Sequence, residues 1–135
     1  MDHTAKSRNE IDRNMTWDLS RLYADDAQWE KDFAEIDDGV KAFLKFKGRL
    51  AESPETLLAA FQADDELGLV LERLYVYAHL KADEDTGNSA NRARLDRISA
   101  KHAEIGGECA WFQPELIAMD EKVFEHYCNS PVLAF

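Results

Sequence analysis

Residues 64–112 read DDELGLVLERLYVYAHLKADEDTGNSANRARLDRISAKHAEIGGECAWF, and this stretch decides the fold. Leu67, Val70, Leu71, Leu74, Tyr77 and Ala78 recur at steps of three and four, the spacing that lines one face of an α-helix. The run Asp83-Glu84-Asp85-Thr86-Gly87-Asn88-Ser89 then supplies turn and capping residues. From about Ser89 the period resumes with Leu95, Ile98, His102, Ile105, Cys109 and Phe112. Two such helices of roughly 18–25 residues, joined by a polar loop, form an antiparallel αα-hairpin with arms about 30 Å long. Heptad-like spacing also marks coiled coils, but here it lasts under three heptads, so packing within a bundle is expected. Gly106-Gly107 weakens the second arm locally, by about 1 kcal/mol per Gly relative to Ala.

Upstream, Ser53-Pro54-Glu55 is a helix start: a Ser cap, Pro at the first helical position, then an acid. Leu57, Leu58 and Phe61 give that short helix one apolar face, and Asp64-Asp65-Glu66 opens the next. Earlier still, Trp29, Phe33, Ile36, Val40 and Phe43 define a helix from about Ala27, with Asp25 or Asp26 as its cap. Lys41, Lys45 and Lys47 suit its C-terminal end, and Gly48 is a plausible stop. Residues 1–26 read as a polar arm running into the aromatic loop Trp17 to Tyr23. Downstream, Pro114 ends the fourth helix or starts a short successor, and Asp120 to Tyr127 carries Val123, Phe124 and Tyr127 on one face. No β-alternation appears. The sequence therefore predicts an all-α protein, a helical bundle built around a long antiparallel αα-hairpin, with an arm at 1–26 and a helical domain at 27–135.

Length and charge bound the function. One domain of 135 residues buries a sizeable core without disulfides or metal. Sixteen basic against 27 acidic side chains give a net charge of −11, which argues against a non-specific binder of nucleic acid or anionic membrane, since such proteins need a cationic face. No apolar run approaches a membrane span, and the N-terminus lacks the apolar region of a secretory signal. Cys109 and Cys128 follow no metal or redox spacing and read as free thiols in a reducing cytoplasm. A cytoplasmic location is expected.

No catalytic constellation emerges from the residues. His79 and Asp83 stand one helical turn apart and can pair, but no second His follows at i+4, and H-E-x-x-H, H-x-x-x-H and C-x-x-C are absent. His102 falls on the apolar stripe and reads as a core or interface histidine, whereas His3 reads as solvated. His126 and Cys128, even with Cys109, lack ligand spacing, and as a dyad His126 and Cys128 point to different helix faces. No serine lies in G-x-S-x-G. The carboxylate pairs Asp25-Asp26, Asp37-Asp38 and Asp64-Asp65 read as caps and solvated faces. Arg92, Arg94, Arg97 and Lys101 form the basic patch, which Asp83, Glu84 and Asp85 across the hairpin are expected to neutralise. Core packing is expected for Trp17, Tyr23, Trp29 and Phe33. Of Tyr75 and Tyr77, about 200° apart on a helix, one is expected to face the core and the other a partner or a cavity.

The ordered words carry more. W-D-L-S-R-L-Y (17–23), W-E-K-D-F (29–33), F-K-G-R-L-A-E-S-P-E-T-L-L (46–58), L-E-R-L-Y-V-Y-A-H-L-K-A-D-E-D-T-G-N-S (71–89) and F-Q-P-E-L (112–116) occur in this order. In that order and spacing, from about Asn14 to Phe135, the chain resembles the N-terminal region of oligoendopeptidase F. That enzyme is a zinc metallopeptidase of the thimet-oligopeptidase-like family. The resemblance implies a helix-rich cytoplasmic peptidase that cleaves short peptides inside an enclosed channel. Its zinc is held by H-E-x-x-H plus a downstream Glu, C-terminal to the region represented here. No catalytic or metal-binding position therefore carries over; no cofactor is expected in this chain, and the family's zinc would be bound outside it. What the resemblance implies is a non-catalytic segment that helps wall the channel, with the catalytic domain of the same polypeptide as partner. Self-association through a C-terminal apolar face (Phe112, Val123, Phe124, Tyr127, Val132, Leu133 and Phe135) is expected of an excised domain. A stand-alone helical interaction module without enzymatic activity is the alternative.

Overall fold

The computed structural model describes residues 6–134; His3 and Phe135, on which two of these expectations fall, lie outside them. Among the described residues there are helices and turns but no strand. Short 3-10 turns at Arg8–Glu10, Arg13–Met15 and Leu19–Arg21 lead into α1 (Asp26–Leu44). Asp25 caps α1, its carboxylate accepting from the Gln28 N–H at 2.9 Å. Ser53 caps α2 (Pro54–Glu84) from the predicted position, with Pro54 in the first turn. Asn88 caps α3 (Ser89–Cys109), and Asp120 caps the short α5 (Glu121–Cys128) after α4 (Phe112–Ile117). The hairpin of α2 and α3 is present, turning through residues 85–88.

The expected break before Asp64 does not exist: α2 is one helix of 31 residues. Ala59, Ala60 and Ala63 are strong helix formers, and Leu57, Ala60 and Leu67 keep a buried stripe running beneath the acidic trio. Asp64, Asp65 and Glu66 are therefore mid-helix residues rather than a cap. Gly48 lies in the turns after α1 with φ +78°, a backbone state that L side chains adopt at a cost.

α1 and α3 both pack along α2. Their shared core holds Trp29, Val40, Phe43, Leu74, Tyr77 and Ile98, all essentially excluded from solvent. The Trp29 indole N–H donates to the Leu74 carbonyl at 2.9 Å, and its ring stacks on Phe33 at 5.0 Å. Tyr23 closes one end, set edge-on to Tyr77. Trp17 departs from expectation and stands 76% exposed on the arm.

A second core corrects the reading of the C-terminal third. Leu50, Leu57, Ala60 and Tyr127 are buried together, with Phe112, Val123 and Leu133 packed against them. The Tyr127 hydroxyl donates to the Ala51 carbonyl at 2.8 Å. The Glu115 carboxylate accepts from the Gly48 and Leu50 N–H groups at 2.7 and 3.1 Å, tying α4 to the α1–α2 connection. Phe112, Val123, Tyr127, Val132 and Leu133 thus do not form an open apolar face, because α4 and α5 fold back over the start of α2. Only Phe124 of that set is exposed among the described residues.

Candidate functional site

Arg94, Arg97 and Lys101 of the α3 basic patch pair with α1 rather than with Asp83, Glu84 and Asp85, and Arg92 pairs with Asp96 on α3 itself. Arg94, almost fully buried, pairs with Asp26 at 2.6 Å and lies over the Trp29 ring. The Tyr77 hydroxyl donates to the same Asp26 carboxylate at 2.7 Å, and burial with that neighbour pushes the phenol pKa well up. Arg97 holds both oxygens of Glu30 at 2.8 Å and covers the Phe33 ring at 4.5 Å. That contact holds the Glu30 carboxyl below its ordinary value, chiefly through the hydrogen bonds from Arg97. Lys101 reaches Asp37 at 3.2 Å and Glu104 at 3.0 Å. Arg94, Arg97 and Lys101 recur at helical spacing, as do Asp26, Glu30 and Asp37, so two facing stripes zip together. The sequence shows the charges, but neighbours along the chain were read where neighbours in space prevail. Glu84 is taken instead by Arg8 of the arm and by Lys81.

The other titratable groups do not converge. His79 pairs with Asp83 at 3.0 Å, as its spacing allows. His102 is exposed beside Tyr75 and is not a core residue, because the stripe of α3 turns Ile98 and Ile105 inward instead. Tyr77 is buried, and Tyr75 is half-buried and packs against the same core. The Cys109 thiol is pushed up by burial and by the nearby Asp64, and Cys128 is exposed; both are free. Among the described residues no three His, Cys, Asp or Glu side chains are placed to hold a metal ion, so they do not fit a zinc site. No helix among them is long and apolar enough to cross a membrane.

A concave feature remains, and sequence reasoning missed it. Between α1 and α2 runs a groove of about 310 Å³, floored by Ile36, Gly39, Ala42, Ala63, Leu67 and Val70. At Gly39 a Cβ would meet the Leu67 Cδ1 atom at 3.4 Å, so the two helices lie in ordinary contact there. Glu35 and Glu66 sit on its two rims. The available signal was the run of small residues on both helices, which reads as solvent-facing until the helices are placed side by side.

The architecture has counterparts of known name. Over 120 residues, 89% of this chain, it is 30% identical to oligopeptidase PepF of Bacillus subtilis and covers 18% of that protein. Over 113 residues it is 31% identical to the chromosomal oligoendopeptidase F of Lactococcus lactis subsp. cremoris, covering 83% of this chain and 19% of the other. The chain resembles the N-terminal region of oligoendopeptidase F. A crystal structure of a Chlamydophila abortus protein assigned as a peptidase superposes with TM-score 0.84 at 28% identity. That match covers 96% of this chain and 22% of the other. The chain therefore spans about a fifth of the length of the oligoendopeptidase F relatives it matches. No protein-family model matches it.

Proposed function

We propose that this chain is a non-catalytic N-terminal helical domain of an oligoendopeptidase F-like zinc metallopeptidase, one that helps wall a channel admitting short peptides. The observation that carries the reading is the near-complete match, in sequence and backbone, to about a fifth of much longer peptidases. The physics is compatible with a wall. α2 alone is about 46 Å long at 1.5 Å per residue, and the α1–α3 ion-pair zipper braces it from one side. A rigid helical layer of that length restricts what passes it without contributing to bond cleavage. The family's zinc and its water-activating Glu would belong to the catalytic part of the same polypeptide, and the whole would act in the cytoplasm on oligopeptides.

The test is the reading frame beyond Phe135 together with an assay. A frame that continues to H-E-x-x-H supports the proposal, and a stop codon at that point overturns it. Fluorogenic oligopeptides should be left intact by the 135-residue chain. Turnover abolished by a chelator would overturn the non-catalytic assignment.

A further inference from the structure

The α1–α2 groove lies on a face that none of the described residues covers. A second concavity shares Val70 with it and is lined by Leu22, Leu69, Arg73 and Val76, with Leu69 68% exposed. From Ala63 to Val76 the strip follows α2 for about 20 Å, the length of a helix of roughly four turns. The floor is small and aliphatic, which suits close helix packing. Its rims are mostly acidic, Arg73 being the one cation among the described residues that line the two concavities. Glu35, Glu66 and Glu72 line the two concavities, and among the described residues none of the three has a cationic partner. Asp32, also on the rim, is already held by Arg73 and by the Tyr23 hydroxyl.

We propose that this groove receives an amphipathic helix of about four turns, with small or aliphatic residues along its seam and Lys or Arg on both flanks, supplied by the peptidase portion of the same polypeptide. The proposal rests on the domain reading above. Two observations select this occupant. A second copy cannot offer α3, the most cation-rich helix of the chain, because Arg94, Arg97 and Lys101 are committed to α1. The matched relatives, in contrast, hold about four-fifths of their length outside the matched region, ample to supply such a helix. Basic flanks would answer the unpaired rim carboxylates and set the register of docking.

The experiment uses the ¹⁵N-labelled chain and two sets of probes. The first is synthetic peptides of about 16 residues tiling Bacillus subtilis oligopeptidase PepF outside its matched region. The second is a designed helix with Ala and Leu on one face and Lys on both flanks. The expected result is that at least one basic tile, and the designed helix, move the amides of Gly39, Ala42, Ala63, Leu67 and Val70. Glu35→Lys with Glu66→Lys should weaken that binding about tenfold, while Glu108→Lys with Glu125→Lys, equal in charge but on other faces, should not. All four carboxylates are exposed, so neither pair threatens the fold. Shifts elsewhere on the chain, equal loss in both variant pairs, or no binding at all would overturn the groove. Binding by the designed helix alone would overturn the same-polypeptide source, and so would a groove filled by a second copy in sedimentation. The domain reading fails separately: the reading frame decides it, and a frame reaching H-E-x-x-H with an empty groove sinks this inference alone.

Discussion

The buried Trp29 and the half-buried Trp111 meet different polar fates, and the difference is measurable. The Trp29 N–H finds the Leu74 carbonyl, whereas the Trp111 N–H is buried with no acceptor among the described residues. An unpaired buried donor costs about 1–3 kcal/mol, so removing one offsets part of the lost packing. Trp111→Phe should therefore stay within about 1.5 kcal/mol of the parent in urea unfolding, while Trp29→Phe should lose about 2–4 kcal/mol. Equal losses would show that the Trp29 hydrogen bond contributes nothing. Glu30 offers a second residue-scale test. Its folded pKa lies below the ordinary 4.5 because Arg97 holds the carboxylate, so its contribution is present above that value and fades as pH falls through the folded one. Both partners are about half exposed, which limits the gain to roughly 0.5–1 kcal/mol. Glu30→Gln should be less stable than the parent by that amount at neutral pH and converge with it in acid. A constant gap across pH would mean that the charge is irrelevant.

Helix starts were legible because caps are local chemistry: Asp25, Ser53 and Asn88 each accept from the first turn they precede. The continuity of α2 was not, because its stripe narrows to alanines between Leu57 and Leu67, where a search for large apolar residues finds a gap. Acids at 64–66 then looked like a cap. The same local reading matched Arg92, Arg94, Arg97 and Lys101 to the loop acids, although α1 supplies the partners of Arg94, Arg97 and Lys101, and Arg92 meets Asp96. The groove escaped for a related reason. Gly39 and Ala63 are 24 positions apart and carry no signal until two helices meet. One measurement separates a continuous helix from two pieces. Asp65 is exposed, so Asp65→Pro should cost about 3 kcal/mol or more, whereas Asp65→Gly should cost only about 0.3 kcal/mol because Asp is already a weak helix former. In a loop Asp65→Pro would also be near neutral.

At the scale of the whole molecule, two cores share α2, and the second depends on the chain returning from α3. Tyr127 and Glu115 make that return specific: the first donates to the Ala51 carbonyl, and the second accepts from Gly48 and Leu50. The α1–α2 connection and the C-terminal helices therefore stabilise one another, and neither packs well alone. Losing Tyr127 removes a buried ring and its hydrogen bond to the Ala51 carbonyl, which should cost about 3–5 kcal/mol, mostly through packing. The consequence is not only lower stability. With α5 loosened, Leu50, Leu57, Phe112 and Val123 lose their cover, and an apolar surface of that kind drives association. Tyr127→Ala should therefore sediment with a concentration-dependent mass, despite the self-repulsion of a −11 charge. Phe124→Ser, altering a side chain already 39% exposed, should sediment like the parent at every concentration. If Phe124→Ser instead dissolved an oligomer of the parent chain, the C-terminal helices would be an interface rather than the lid of an internal core, and the two-core description would fail.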